Sequence, residues 1–149
     1  MQNIVSEVTL NYKSKIKSSE RVQIRDSKSS AEVFRSIDHY NDNMELYECF
    51  YCMYLSKANK VLSVMMISEG GTSGTVMDVK KVIAPAILQN ASSVIVSHNH
   101  PSGNLQPSGA DKLITEKLKN ACKFMDITVL DHIILTSEGY YSFADKSIL

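Results

Sequence analysis

Residues 92–111 read SSVIVSHNHPSGNLQPSGAD. The run "SSVIVSH" is short and apolar, as a fully buried strand is, and Pro101 ends it. Pro101 and Gly103 then turn the chain, a second turn follows at Pro107–Ser108, and "SGADKLITEKLKNACKF" opens as a helix with Ile114, Leu118, Ala121, Cys122 and Met125 on its inner face. His98 and His100 stand at i and i+2, so they project together from one face at the end of the strand. Strand ends in open α/β sheets are where ligands tend to sit. Neutral imidazole is a common zinc ligand, and such a pair can hold an ion from one side. Asp111 is the best candidate for a third ligand, because two turns can bring the first helical turn back to the strand end. Three protein ligands plus a water form the open arrangement of a catalytic zinc. Ser108-x-x-Asp111 also reads as a near capping box, with Ser108 at the N-cap and Asp111 at N3, and taken alone that reading is favoured.

Outward from this stretch, strands and helices alternate. "TVLDHIIL" and "GYYSFA" read as two further strands, turning at Glu138–Gly139. On the N-terminal side, "DVKKVIAPAILQN" reads as a helix with Asp78 at its N-cap and Pro85 awkwardly inside, where it should bend the helix locally. "LYECFYCMYL" and "KVLSVMMIS" read as strands joined by a hairpin turn at "SKAN", and their poor alternation predicts that both faces of both are covered. "EGGTSGT" reads as a loop. "SSAEVFRSIDHYND" reads as one helix, capped by Ser29 or Ser30, with Val33, Phe34, Ile37 and Tyr40 on one face. "EVTLNYK" and "RVQIRDS" alternate apolar and polar residues and predict an N-terminal strand pair, an extension over residues 1–28. The class is α/β, with a mixed β-sheet and helices packed on its faces.

The chain has 149 residues, which suggests one domain spanning 1–149, large enough to bury its own core. At 44% hydrophobic and 21% charged it has the composition of a soluble globular protein. No stretch approaches a membrane span, and the N-terminus lacks the layout of a signal peptide. Cys49, Cys52 and Cys122 make an odd number, which in an unexported chain points to reduced thiols and a cytoplasmic setting. The net charge is +0, which weighs against a nucleic-acid partner. Lys13, Lys15, Lys17, Arg21, Arg25 and Lys28 are a local basic excess, read first as a solvated hairpin and second as a phosphate-binding patch. No repeat or linker is present, and self-association into a homo-oligomer has no signature in the sequence.

His-x-His, seven residues, Ser, two residues, Asp resembles the JAMM signature of the JAB/MPN metalloprotease fold. The fuller string "HNHPSGNLQPSGAD", with "LDHIIL" downstream, looks like the RadC-like branch of that fold, over about Tyr47 to Phe143. The contiguous "HNH" is a coincidence of letters, since HNH nucleases space their motif residues widely. The resemblance implies a cytidine-deaminase-like mixed sheet and one Zn2+ per chain held by His98, His100 and Asp111. It also implies a glutamate general base on an adjacent strand and a Ser108 hydroxyl that stabilises the oxyanion. Glu45, Glu48 and Glu69 are the candidates for the base. "ECFYCMYLSKANKVL" resembles the family's strand and turn with Glu48 in first place, and Glu69 in its Gly-rich loop ranks second. The implied activity is a zinc-dependent hydrolase acting on an amide or isopeptide bond, with a peptide or isopeptide conjugate as substrate. The alternative is a JAB-fold module that binds a partner or DNA without catalysis, in keeping with the DNA-repair role the family name suggests. Fuller relatives carry an N-terminal helix-hairpin-helix element, and nothing in this chain resembles it. Three smaller features read as structural. Cys49 and Cys52, at i and i+3 in a strand, face opposite sides; His132 beside Asp131 is structural or supports a ligand; His39 lies on a helix surface.

Overall fold

Five strands form one sheet in the computed structural model, which describes residues 4–70 and 76–149. They are β1 (Cys49–Leu55), β2 (Val61–Glu69), β3 (Ser93–Asn99), β4 (Thr128–Leu135) and β5 (Tyr140–Ser142). The spatial order is β2-β1-β3-β4-β5. β3 and β4 are parallel and every other neighbouring pair is antiparallel, so the sheet is mixed. Parallel neighbours need a long crossover. The helix α4 (Gly109–Phe124), which follows the two-turn segment after β3, supplies it.

Side chains alternate across β1. Phe50, Cys52 and Tyr54 join Val94 and Val96 of β3 under α3 (Val79–Leu88) and α4, which contribute Val82, Ala86, Leu118 and Cys122. Cys49, Tyr51, Met53 and Leu55 face the other way, onto Ala31 and Phe34 of α1 (Ser27–Arg35) and Tyr40 of α2 (Asp38–Asp42). The two central strands are thus buried along their whole length. Burying a Phe34- or Leu118-sized side chain contributes roughly 1.5–3 kcal/mol, so these two apolar layers hold the sandwich together. β4 carries a bulge: Val94 pairs with Val129 but Ile95 pairs with Asp131, leaving Leu130 as an extra residue. A bulge re-aims the side chains beyond it. Val129 lies on the α4 side while Ile133 and Leu135 lie on the α1 side, and His132 comes onto the α4 side.

Several expectations are corrected. Neither "EVTLNYK" nor "RVQIRDS" is a strand. Val8 and Leu10 are more than three-quarters exposed, and among the described residues no strand neighbours them and only Gln23 makes an isolated bridge, to Lys60. Alternation fits a strand but does not supply a partner for it. The basic residues from Lys13 to Arg25 therefore lie on an extended segment with one 3-10 turn, Ser18–Glu20, and not on a hairpin. β2 is an edge strand and is covered only in part: Met65 and Met66 are about 40% exposed. The helix expected over "SSAEVFRSIDHYND" begins earlier, capped by Asp26, whose carboxylate accepts from Ser29 N–H at 2.7 Å. It breaks at Ile37, which is extended and starts α2. The Ser36 hydroxyl bonds back to Val33 O at 2.7 Å, a local competitor of helical pairing. Met125 lies past the end of α4 and is half exposed, and Thr115 takes a buried place instead. Asp78 caps α3 as expected, and α3 continues through Pro85 with Val82 and Ala86 both buried. Glu69 closes β2 and is not in a loop, whereas residues 71–75 of "EGGTSGT" lie outside the described residues.

Candidate metal centre

β3 delivers His98 to the α4 side of the sheet, where its ring stacks on Phe50 with centroids 5.7 Å apart and planes 2° from parallel. Beyond the strand, Gly103 N–H donates to His100 O at 3.0 Å and closes a tight turn. Gly103 has φ 82°, a conformation that side chains disfavour. The turn folds Asn104 back, so its carbonyl oxygen sits 2.6 Å from His100 Nδ1. A carbonyl can only accept, so His100 carries its proton on Nδ1 and turns Nε2 into the site.

His98 is oriented by a longer chain. The Thr115 hydroxyl donates to Asp111 O at 2.6 Å, so its oxygen must accept from His132 Nδ1–H, also at 2.6 Å. His132 Nε2 is then an acceptor, and it receives His98 Nδ1–H at 2.7 Å. His132 is fully buried, and burial pushes its imidazole well below the usual histidine range, which keeps it neutral as the chain requires. Each metal-facing nitrogen is thus set by a hydrogen bond on the far side of its ring, the support that ligating histidines need.

The Nε2 atoms of His98 and His100 lie 2.9 Å apart. Asp111 Oδ1 is 3.2 Å from the first and Oδ2 is 3.4 Å from the second. Ligand atoms around a tetrahedral ion with bonds of about 2.0–2.2 Å stand roughly 3.3 Å apart, so the three residues fit one ion. Burial raises the Asp111 carboxyl, but the facing imidazoles of His100 and His98 outweigh it, helped by Ser108 N–H, and hold the group well below the carboxylate range. The hydrogen bond from His100, accepted by Asp111, raises His100 in turn. Asp111 also completes the capping box: Ser108 N–H donates to Oδ2 at 2.7 Å, and Asp111 N–H donates to the Ser108 hydroxyl oxygen at 3.0 Å. The carboxylate that caps α4 is therefore also the one that faces the two histidines.

Glu48 lies just before β1 and lines a cavity of about 180 Å³ together with Phe50, Met77, His98, Asp111 and Ile114. Burial raises its carboxyl, and the neighbouring His98 and His100 oppose that rise. Glu69 goes elsewhere: it meets His39 Nε2 at 2.9 Å and the Cys49 thiol at 3.7 Å. Glu45 is exposed and lines a different depression, beside Arg35 and Asn41. Of the three glutamates, Glu48 is the one that shares the cavity with His98 and Asp111. Ser108 caps α4 and accepts from one N–H, which leaves its own proton to donate. Sequence reasoning missed Asn99. Its Oδ1 accepts Cys49 N–H at 2.7 Å and its amide nitrogen donates to Met44 O at 2.9 Å and Tyr47 O at 2.7 Å. It clamps the start of β1, and so Glu48, against the end of β3. Its place between the two histidines, pointing to the opposite face, was the available signal.

Cys49, Cys52 and Cys122 are free thiols, and Cys49 and Cys52 join opposite layers of the core. Among the described residues no helix is long and apolar enough to cross a membrane.

A family model described as "RadC-like JAB domain" matches residues 24–148, a wider span than the Tyr47–Phe143 stretch that carries the motifs. A curated relative from Flavobacterium johnsoniae, named "UPF0758 protein", is 45% identical over 102 residues, which is 68% of this chain and 44% of that protein. Another of the same name, from Chlorobium chlorochromatii, is 36% identical over 129 residues, 87% of this chain and 58% of its own length. The chain spans about half the length of the curated relatives it matches. With the family model covering most of its residues, the chain belongs to the RadC-like JAB domain family.

Proposed function

We propose that the chain is a zinc-dependent hydrolase of amide or isopeptide bonds, with His98, His100 and Asp111 as ligands and Glu48 as general base. The observation that carries this reading is the pair of Nε2 atoms, each with its opposite nitrogen committed as a donor, facing one carboxylate at ligand spacing. Two imidazoles and a carboxylate without a thiolate suit zinc in its open, three-ligand form. Zinc bound there supplies Lewis acidity and a water that ionises near pH 7.

The remaining work falls to the chain. Glu48, half-buried and with a raised carboxyl, takes a proton at a carboxylate oxygen and returns it to the leaving nitrogen. The raised value brings it closer to the operating pH, where a group serves best as both base and acid. The Ser108 hydroxyl donates to the developing oxyanion. Phe50, Met77 and Ile114 make that side of the cavity apolar and strengthen the charges in it by excluding water. Asn99 and the Thr115–His132 chain position these groups without touching the substrate.

The test is metal content of protein purified without added zinc, followed by turnover on a panel of peptide and isopeptide conjugates. About one zinc held by His98, His100 and Asp111, with hydrolysis that disappears on chelation and returns with zinc, supports the reading. A chain that takes up no zinc even when it is added is instead a JAB-fold binding module.

A further inference from the structure

A second cluster of metal-ligating side chains lies on the other face of the sheet. Glu69 at the end of β2 is met by His39 Nε2 from α2 at 2.9 Å and by the Cys49 thiol from β1 at 3.7 Å. One ligand atom from each of the three lies within 4.8 Å of the other two. Cys49, the first residue of β1, follows Glu48 directly, so consecutive residues at the start of that strand serve opposite faces. The thiol forms the buried floor, while His39 and Glu69 form a rim with side chains 48% and 37% exposed. That combination gives an ion both access from solvent and a ligand held in place. The floor is fixed independently of the rim, because Asn99 pins Cys49 N–H at 2.7 Å.

We propose that His39, Cys49 and Glu69 form a second metal site, for a thiophilic divalent ion of the zinc class. Thiolate, imidazole and carboxylate together suit zinc and its softer neighbours and disfavour calcium and magnesium, which take oxygen ligands. Three ligands from three elements leave a fourth position for water. Binding releases the Cys49 thiol proton to solvent. The His39 proton now shared with Glu69 leaves Nε2 for solvent, and Nδ1, beside the Asn43 amide, takes one up from water. An ion there ties α2 and the ends of β1 and β2 together, next to the residue that carries the general base.

Cobalt titration of the full chain tests this site separately from the first. A thiolate ligand gives cobalt a strong near-ultraviolet charge-transfer band, and the His98–His100–Asp111 set contains no thiolate. The band should appear, saturate at about one cobalt per chain, be displaced by zinc, and persist in His98→Ala. Cys49→Ser should abolish it. His39→Ala and Glu69→Gln, which alter only partly exposed side chains, should weaken cobalt binding beyond the ~10–100-fold that loss of a supporting hydrogen bond costs a metal site. No band in the wild-type chain, a band that survives Cys49→Ser, or an unchanged cobalt affinity in His39→Ala and Glu69→Gln overturns the second site whatever the first one does. Loss of zinc in His98→Ala with the band intact separates the two in the other direction.

Discussion

The two clusters on either side of β1 have the same number of metal-ligating groups and very different support. At His98 and His100, every Nδ1 is committed to a fixed partner, Asn104 O or the buried His132–Thr115 chain, so Nε2 is aimed before any ion arrives. At His39, Nε2 is tied to Glu69, and among the described residues Nδ1 faces only an Asn43 amide at 3.4 Å, so an ion must change the tautomer as it binds. The carboxylates differ too. Asp111 is locked into the first turn of a 16-residue helix by a capping box, whereas Glu69 ends an edge strand. Equal ligand counts therefore do not imply equal sites. The preorganised one should bind more tightly and tolerate substitution less, because its ordering cost is met during folding.

The largest effect expected from breaking this contrast is on turnover. Glu48→Gln keeps size and shape but cannot accept a proton, and should lower turnover by ~10²–10⁴-fold with zinc content unchanged. Glu69→Gln, across the sheet, should leave turnover near the parent value on the same substrates. Ser108→Ala comes next. Loss of an oxyanion donor lowers turnover by about 10²–10³-fold, and loss of the cap costs ~1 kcal/mol of stability. Melting temperature and turnover measured on the same variant separate the two roles, and a change in stability alone would leave Ser108 with the cap only. Thr115→Val removes the hydroxyl that fixes the His132 tautomer. It should weaken zinc at the first site by about 10–100-fold and leave the cobalt–thiolate band of the second site as it was. The smallest effect is remote from both. Hydrogen bonds from the Ser29 backbone and side chain hold the Asp26 carboxyl below its ordinary value of 3.8. A depressed folded value stabilises the fold above the unfolded pKa and is lost as pH falls through the folded one. Asp26→Asn should therefore flatten the stability profile below about pH 4 and leave both clusters untouched at neutral pH.

The same contrast explains what the sequence disclosed. The first cluster was legible because its three candidate ligands lie within fourteen residues, on a strand end and a helix start whose geometry follows from Pro101, Gly103 and the cap at Ser108. The buried strands of the sheet's core were legible from apolar runs such as "SSVIVSH". Long-range pairings were not. Nothing local in "ECFY" places Cys49 against Glu69, and nothing in "LDHIIL" shows that an extra residue at Leu130 carries His132 to the side of His98. The N-terminal alternation in "EVTLNYK" misled for a related reason, since a strand needs a partner that its own sequence does not contain. Asn99 was passed over because its bonds reach residues some fifty positions away.

The most direct test of the account is zinc affinity and stoichiometry, measured by competition with a chromophoric chelator, in the wild-type chain and in His98→Ala. The account predicts that the wild type holds its tightest zinc at about one per chain, and that His98→Ala loses that ion while keeping its fold. Undiminished tight zinc binding in His98→Ala, or none in the wild type, would contradict it.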